Sequence, residues 1–209
     1  AVLNTIADAI LKNQETILEA NQKDLSRMDE SDPKYDRLKL TPERLEGIAN
    51  DMKNVVSLPS PLGINLEERD LESGIHLQKV SVPIGVIGII YEARPNVTAD
   101  AAALCLRSGN AAILRAGSES LQSALAIATA LRSGLSGAGL PQDAVQLVDT
   151  TNRDAVGFML SGLQSQIDVI VPRGGKGLVS RVQQDARVPV IGHLEGLCHA
   201  YVDVDADAE

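Results

Sequence analysis

An apolar run that leads into a charged turn is the feature that most constrains the fold of this sequence. Residues 86–90 are mostly β-branched, which predicts a strand covered on both faces, as in a parallel sheet. Pro95 follows and ends this strand near Arg94, because the residue before a proline avoids helical geometry. An alanine-rich helical segment then runs to Gly109, and a second apolar strand follows at 111–114. Strand, helix and strand form a crossover unit, and ligands of such sheets bind at the carboxyl ends of the strands.

The alternation of strands and helices continues through the rest of the chain. Strands are predicted near Val86, Ala111, Val145 and Ile167, and helices near Ala101, Ala124, Ala155 and Val179. Such alternation is typical of an α/β protein with a parallel Rossmann-type sheet. We therefore expect an α/β domain over residues 83–209.

The first part of the chain has a different pattern. Apolar residues at helical spacing predict a long helix over residues 2–28, and Thr41 with Pro42 marks the start of a second helix. Two short alternating segments joined through Ser73 and Gly74 predict a hairpin. We expect an N-terminal helical segment at 1–61 and a β-hairpin arm at 62–82.

Composition narrows the classes of partner. A net charge of −9 and an aromatic content of 2% argue against binding to nucleic acid, which requires cationic and stacking surfaces. No apolar run is long enough to cross a bilayer and no leader is recognisable, so we expect no membrane partner and a cytoplasmic location. Three histidines, His76, His193 and His199, lack the spacing of metal ligands, and we predict no metal site.

A glycine-rich loop after an apolar strand is the second chemical candidate. The segment IDVIVPRGGKGL, residues 167–178, leads from a predicted strand through three glycines and two cations into a helix. Glycines permit close backbone approach and a helix N-terminus offers free N–H groups, so the loop is suited to a phosphate. By itself the motif is equally compatible with an ordinary glycine-rich turn, since it lacks the full dinucleotide or P-loop pattern.

Four segments together resemble the γ-glutamyl phosphate reductases, a branch of the aldehyde dehydrogenase superfamily. They are IYEARPNVT, SGNAAILRAG, IDVIVPRGGKGL and PVIGHLEGLCHAYVDVDAD, in this order along essentially the whole chain. The resemblance implies an aldehyde-dehydrogenase-like fold. It also implies NADPH-dependent reduction of L-glutamyl 5-phosphate to L-glutamate 5-semialdehyde, with release of phosphate, in L-proline biosynthesis.

The resemblance also suggests which residues bind the cofactor. Arg115, with Gly117 and Ser118 after it, corresponds to the position that meets the adenosine ribose or its 2′-phosphate, although a solvated strand-end arginine is the alternative. An arginine there favours NADP over NAD. The loop that approaches the cofactor phosphates corresponds to Arg173, Gly174, Gly175 and Gly177.

The sequence leaves two interpretations open for each candidate residue in the charged turn that follows the first apolar run. Asn96 is either an oxyanion donor or the N-cap of the following helix. Glu92 and Arg94 share a strand face by alternation and either pair with each other or contact substrate, with Arg94 facing its phosphate or carboxylate.

The reaction requires a cysteine nucleophile, because acyl phosphate reduction proceeds through a thioester. Cys105 lies between leucines in the alanine-rich helix and is predicted to be a core thiol. Cys198 precedes His199 in a predicted strand, where neighbouring side chains point to opposite faces, so this histidine is a poor base for it. The resemblance places the nucleophilic cysteine in a domain downstream of this chain.

Both ends of the sequence suggest a piece of a longer protein. Ala1 stands inside a helical pattern, and the acidic cluster at 203–209 is typical of a helix start. The hairpin resembles an arm that joins subunits, which predicts a homo-oligomer. Alternatives are a non-catalytic nucleotide-binding or oligomerisation module, or the reductase part of a bifunctional pyrroline-5-carboxylate synthase.

Overall fold

The computed structural model of the protein describes residues 2–193, 198–204 and 206. The helices are α1 (Val2–Lys12), α2 (Gln14–Leu25), α3 (Tyr35–Leu38), α4 (Pro42–Ser57), α5 (Asn96–Arg107), α6 (Leu121–Gly137), α7 (Asp154–Leu160) and α8 (Lys176–Asp185). The strands are β1 (Asn65–Asp70), β2 (His76–Val80), β3 (Val86–Tyr91), β4 (Ala111–Arg115), β5 (Val145–Leu147) and β6 (Val169–Arg173). The four strands and four helices predicted between residues 83 and 185 are therefore confirmed.

A parallel sheet of four strands lies at the centre of the molecule, in the order β5-β4-β3-β6. The chain moves outward from β3 through β4 to β5 and then returns to place β6 on the opposite side of β3. The direction of winding thus reverses between β3 and β6, which creates a crevice at their carboxyl ends. This crevice is where a doubly wound sheet binds its ligand.

Two helix boundaries follow the residues that predicted them. Gly109 has a φ of +73°, and the Asn110 N–H donates to the Cys105 carbonyl at 2.8 Å, which is the Schellman ending of α5 that glycine permits. Thr41 caps α4, because its Oγ1 accepts from the Arg44 N–H at 3.2 Å and Pro42 occupies the first helical position.

The single long helix predicted over residues 2–28 is wrong. It divides into α1 and α2 at Asn13, whose side-chain amide donates to the Ala9 carbonyl at 2.7 Å. The backbone N–H of Asn13 bonds the same carbonyl at 3.1 Å, so the side chain competes for an acceptor of the helical ladder and bends the helix there.

Helices cover both faces of the sheet. The larger core joins α1, α2, α4, α5 and α6 to one face, and includes Ile6, Ile48 and Leu131 with Ile87 and Val145 of the strands. A smaller core joins α7 and α8 to the other face. The N-terminal helices therefore share one core with the sheet, and the division at 61 and 82 stays a prediction.

Helix α1 approaches α6 closely at Gly134. A Cβ at this position would lie 2.7 Å from the Ile6 Cα and 3.2 Å from the Ala9 Cβ. We expect Gly134→Ala to lower the free energy of unfolding by about 1–3 kcal/mol, because the added methyl meets backbone and must push the helices apart.

The matched control for this prediction lies one turn along the same helix. A Cβ at Gly137 would meet its nearest atom, the Thr5 Cγ2, at an ordinary 3.7 Å, so Gly137→Ala should be neutral or stabilise by up to about 1 kcal/mol. Urea denaturation followed by circular dichroism measures both. Equal effects at the two glycines would contradict the close-approach argument.

Strands β1 and β2 form the predicted antiparallel hairpin, shorter than the limits of 62–82. All eleven of its strand residues are exposed, including Leu66, Leu77 and Val80. The hairpin therefore contributes nothing to the core of this chain.

Two remaining observations concern membranes and the C-terminal end. No helix among the described residues is both long and apolar enough to cross a bilayer. The predicted helix start at 203–209 includes residues 205 and 207–209, which lie outside the described residues, as do residues 194–197 of the HLEGLC segment. Residues 198–203 are described and form no strand, so the strand predicted through Cys198 and His199 is wrong.

Candidate functional site: two clefts at the ends of the parallel strands

The loops at the carboxyl ends of β3, β4, β5 and β6 converge on one side of the sheet. A first cleft of about 430 Å³ lies there, lined by residues from the ends of β3, β4 and β5 and from α7 and α8. Among the predicted site residues it gathers Glu92, Arg115, Gly117, Ser118 and Gly177. The sheet order explains the convergence, because the same edge of the sheet carries the ends of all four parallel strands.

Three arginines give the first cleft its charge. Arg115 is the last residue of β4, Arg153 precedes α7, and Arg181 lies on α8, all three lining the same cavity. Arg181 has an ion pair with Asp185 at 3.5 Å on its outer side. Two carboxylates, Glu92 and Glu119, also reach the cleft but leave it with an excess of cations.

Arg115 is the least solvated of these arginines. Its Nη2 donates to the Thr151 carbonyl at 3.4 Å, and its Nε is buried without a partner among the described residues. Burial lowers the pKa of the Arg115 guanidinium; Glu119 opposes this, and Arg153 and Arg181 add to it. A buried N–H donor without an acceptor is unfavourable, and so is the proximity of like charges. A bound anion would accept from the donor and offset the repulsion.

Glu92 holds the glycine-rich loop. Its Oε2 accepts from the Gly175 N–H at 2.9 Å, at the N-terminal end of α8. A Cβ at Gly174 would lie only 2.6 Å from the same oxygen. Glycine at 174 thus allows the loop to pass close to the carboxylate that fixes it.

Glu92 and Arg94 lie beyond strand β3, so the strand alternation that predicted a common face for them does not apply. Strand β3 ends at Tyr91, and Ala93 adopts a φ of +43°, a left-handed conformation that ends the alternation of an extended strand. No ion pair joins Glu92 to Arg94 in the described part of the chain. Glu92 bonds the glycine loop, and both Glu92 and Arg94 line the second cleft described below.

A second cleft, of about 260 Å³, lies on the other side of Glu92. Its lining includes Arg94 and three residues predicted to bind cofactor, Arg173, Gly174 and Gly175. The predicted glycine loop therefore divides between the two clefts, with Gly177 in the first and Gly174 and Gly175 in the second. Lys34 and Arg37, from the N-terminal helical segment, complete the second cleft.

Asn96 is not the N-cap of α5, as one interpretation of the sequence predicted. Pro95 occupies the cap position, and the Asn96 side-chain amide donates to the Asp100 Oδ2 at 2.9 Å. Proline at this position holds the turn, so Asn96 is already helical. It lines a third cleft of about 470 Å³ with Arg94 and Arg44, away from the arginines of the first cleft. Its role as an oxyanion donor stays a prediction.

Four cations of these clefts were missed by sequence reasoning. Arg181 follows Gly177 by four residues and so shares its helix face, and Arg153 lies in the loop after β5. Both arginines could therefore have been recognised from the sequence. Lys34 and Arg37 could not, because no local pattern connects residues before α4 with the end of β3.

Neither described cysteine lines the first or second cleft. Cys105 is buried in α5, and burial raises the pKa of its thiol to about 11, which keeps it protonated and confirms the predicted core position. Cys198 is exposed. Among residues 2–193, 198–204 and 206, no group of three or more His, Cys, Asp or Glu side chains is placed to hold a metal ion.

Comparison with known proteins identifies the family to which this arrangement belongs. The sequence profile of the aldehyde dehydrogenase family matches residues 1–209. The chain belongs to the aldehyde dehydrogenase family. This membership confirms the predicted fold class, and it implies a nicotinamide cofactor.

Three relatives that share more than 30% identity with the chain are γ-glutamyl phosphate reductases. The chain is 54% identical over 210 residues to the γ-glutamyl phosphate reductase of Brucella suis biovar 1, covering 99% of this chain and 50% of that protein. The crystal structure of γ-glutamyl phosphate reductase from Thermotoga maritima matches with a TM-score of 0.86 and 37% identity, over 90% of this chain and 46% of that one. The Saccharomyces cerevisiae γ-glutamyl phosphate reductase matches with a TM-score of 0.82 and 34% identity, over 99% and 53%.

These matches confirm the predicted resemblance. The chain spans about half the length of the curated relatives it matches. The parts of those relatives beyond the matched half are therefore not represented among the residues described above.

Proposed function

We propose that this chain forms the cofactor-binding part of an NADPH-dependent oxidoreductase that reduces L-glutamyl 5-phosphate to L-glutamate 5-semialdehyde and releases phosphate, a step of L-proline biosynthesis. The observation that carries the proposal is the first cleft. It combines three arginines with Gly177, in the first turn of α8, at the switch point of the sheet, where a dinucleotide binds. The names of the similar proteins support the choice of reaction. A cytoplasmic location remains a prediction.

The residues of the first cleft suit NADP better than NAD. Arg115, Gly117 and Ser118 would meet the adenosine ribose, with Arg153 and Arg181 beside its 2′-phosphate. The backbone N–H groups in the first turn of α8, at Gly177, would face the pyrophosphate. Bound NADPH would supply the hydride.

The remaining work of this chain is binding and orientation. Glu92 fixes the loop between the two clefts and so sets the distance between cofactor and substrate. Asn96 keeps a second amide hydrogen for an oxyanion while its first is bonded to Asp100. The nucleophilic thiol would come from outside the chain, since Cys105 is buried and protonated and Cys198 lines neither cleft.

The direct test is the reverse reaction of the complete gene product. Glutamate 5-semialdehyde, NADP and inorganic phosphate should give NADPH, detected by its absorbance, and omission of phosphate should abolish the signal because an acyl phosphate cannot then form. NADPH formation that is equally fast without phosphate would contradict the proposed reaction. Faster turnover with NAD than with NADP would contradict the cofactor assignment.

A second candidate function, subunit association, is favoured by the hairpin of β1 and β2. Leu66 is 59% exposed and Ile75 is 58% exposed. Apolar side chains stabilise a lone hairpin only when another surface covers them. We propose that a second copy of the chain covers them.

We expect Leu66→Glu to reduce the oligomeric mass of the complete gene product, because it places a charge in an apolar contact. Sedimentation equilibrium measures the mass. Phe158→Glu, the same change at a 64%-exposed side chain on α7, is the control and should leave the mass unchanged. An unaltered mass in the Leu66 variant would rule out the hairpin as the contact.

A further inference from the structure

The second cleft concentrates positive charge in an acidic protein. Lys34, Arg37, Arg94 and Arg173 line it together with a single carboxylate, Glu92, although the chain carries a net charge of −9. None of the four cationic side chains has an ion pair or hydrogen bond among the described residues. Like charges repel, so four of them around one small cavity indicate a site for an anion.

The one carboxylate in the cleft does not neutralise it. Glu92 already accepts from the Gly175 N–H at 2.9 Å, and four cations against one carboxylate leave the cleft positive. An additional anion therefore remains favourable there.

The backbone that carries Arg37 is held by contacts at the C-terminal end of α3. Asn21 is 1% exposed and bonds the chain there: its amide donates to the Leu38 carbonyl at 2.9 Å, and its Oδ1 accepts from the Leu40 N–H at 2.8 Å. Arg44 braces the same turn through the Lys39 carbonyl and the Asp36 carboxylate, both at 2.7 Å. Arg37 is thus presented by a fixed backbone, which lowers the entropy cost of binding.

Position and size separate this site from the cofactor cleft. The second cleft lies at the carboxyl ends of β3 and β6, where the winding of the sheet reverses, and shares only Glu92 with the first cleft. At about 260 Å³ it is smaller than typical sites for drug-sized ligands. It suits a compact anion next to the cofactor rather than part of a dinucleotide.

We propose that Lys34, Arg37, Arg94 and Arg173 bind the phosphoryl group of the acyl phosphate and the inorganic phosphate that it becomes. The inference rests on the proposed function and extends it, since it assigns substrate recognition to the N-terminal helical segment and moves Arg173 from the cofactor to the substrate. Arginine is suited to this role because its planar fork matches two phosphate oxygens.

The test is the dependence of the reverse reaction on phosphate concentration in the complete gene product. Arg37→Ala and Arg94→Ala should each raise the KM for inorganic phosphate by about tenfold or more, with the KM for NADP unchanged. Arg37→Lys should restore part of the loss. Lys23→Ala, at an exposed lysine of α2 that lines neither cleft, is the control and should leave both constants unchanged.

The outcomes separate this inference from the proposed function. An active enzyme whose phosphate KM is unchanged in both alanine variants would overturn the inference and leave the function standing. Phosphorus NMR of inorganic phosphate with the same proteins requires no turnover. The wild-type protein should broaden the phosphate signal and the two alanine variants should not; equal broadening by all three would overturn the inference whatever reaction the protein catalyses.

Discussion

Replacing Arg115 with alanine should weaken NADPH binding by about 10- to 150-fold, because a hydrogen bond to a charged group contributes about 1.5–3 kcal/mol. The buried Nε without an acceptor and the neighbouring Arg153 and Arg181 are the reason for an effect of this size. A 2′-phosphate in the first cleft would supply the missing acceptor and neutralise the repulsion among the arginines. Binding of NADH, which lacks this phosphate, should change little.

Titration of NADPH and NADH fluorescence with the complete gene product measures this preference. Arg115→Lys is the matched variant: it retains a charge but loses the planar fork, so its loss should be smaller. Arg181→Ala should lower the preference for NADPH less than Arg115→Ala does, because Arg181 is partly neutralised by Asp185. Equal losses for both cofactors in Arg115→Ala would show that the arginine contacts something other than the 2′-phosphate.

The second large effect is expected on stability, at Asp24. This carboxylate is 2% exposed and caps the N-terminal end of α6, although the two are far apart in sequence. It accepts hydrogen bonds from the Gln122 N–H at 3.2 Å, the Ser123 N–H at 2.7 Å and the Ser123 Oγ at 2.6 Å. Asp24→Ala would leave buried donors at a helix N-terminus without partners. We expect the free energy of unfolding to fall by about 2–4 kcal/mol, the sum of a lost cap and unsatisfied donors.

Urea denaturation of the complete gene product measures this loss. Asp24→Asn keeps one acceptor oxygen and should lose less, and Glu19→Ala, at an exposed carboxylate on the same helix, should be close to neutral. In a double-mutant cycle, Asp24→Ala and Ser123→Ala should be non-additive because the two side chains share a bond. A loss below about 1 kcal/mol in Asp24→Ala would refute the capping role.

Most secondary structure was predictable because its signals are local. The β-branched run of β3 predicts a buried strand, Gly109 predicts the end of α5, and Thr41 with Pro42 predicts the start of α4. The wrong predictions also have local causes. In each case a competing hydrogen bond or an unusual backbone dihedral angle replaces the expected conformation. The side chain of Asn13 takes part of a helical hydrogen bond, and the positive φ of Ala93 ends the strand alternation expected between Glu92 and Arg94.

The candidate site was predictable only in part. Arg115, Gly117, Ser118 and the glycine loop were recognisable because each directly follows a predicted strand, and strand ends in a parallel sheet lie at one edge. Which of them share a cavity was not recognisable. Gly177 and Gly175 are two residues apart and line different clefts, because Glu92 passes between them.

The amino-acid sequence alone determines that this chain forms a parallel α/β sheet with ligand loops after its strands. The spacing of apolar residues and the positions of glycine and proline set the local backbone conformation, and they act within a few residues. The tertiary structure decides the strand order. The strand order in turn decides which loops line the first cleft and which line the second, on the two sides of Glu92. It also brings Lys34 and Arg37 to the end of β3, and Asp24 to the start of α6, nearly a hundred residues further along the chain. Such contacts depend on how helices pack across the sheet, and no local pattern records that packing.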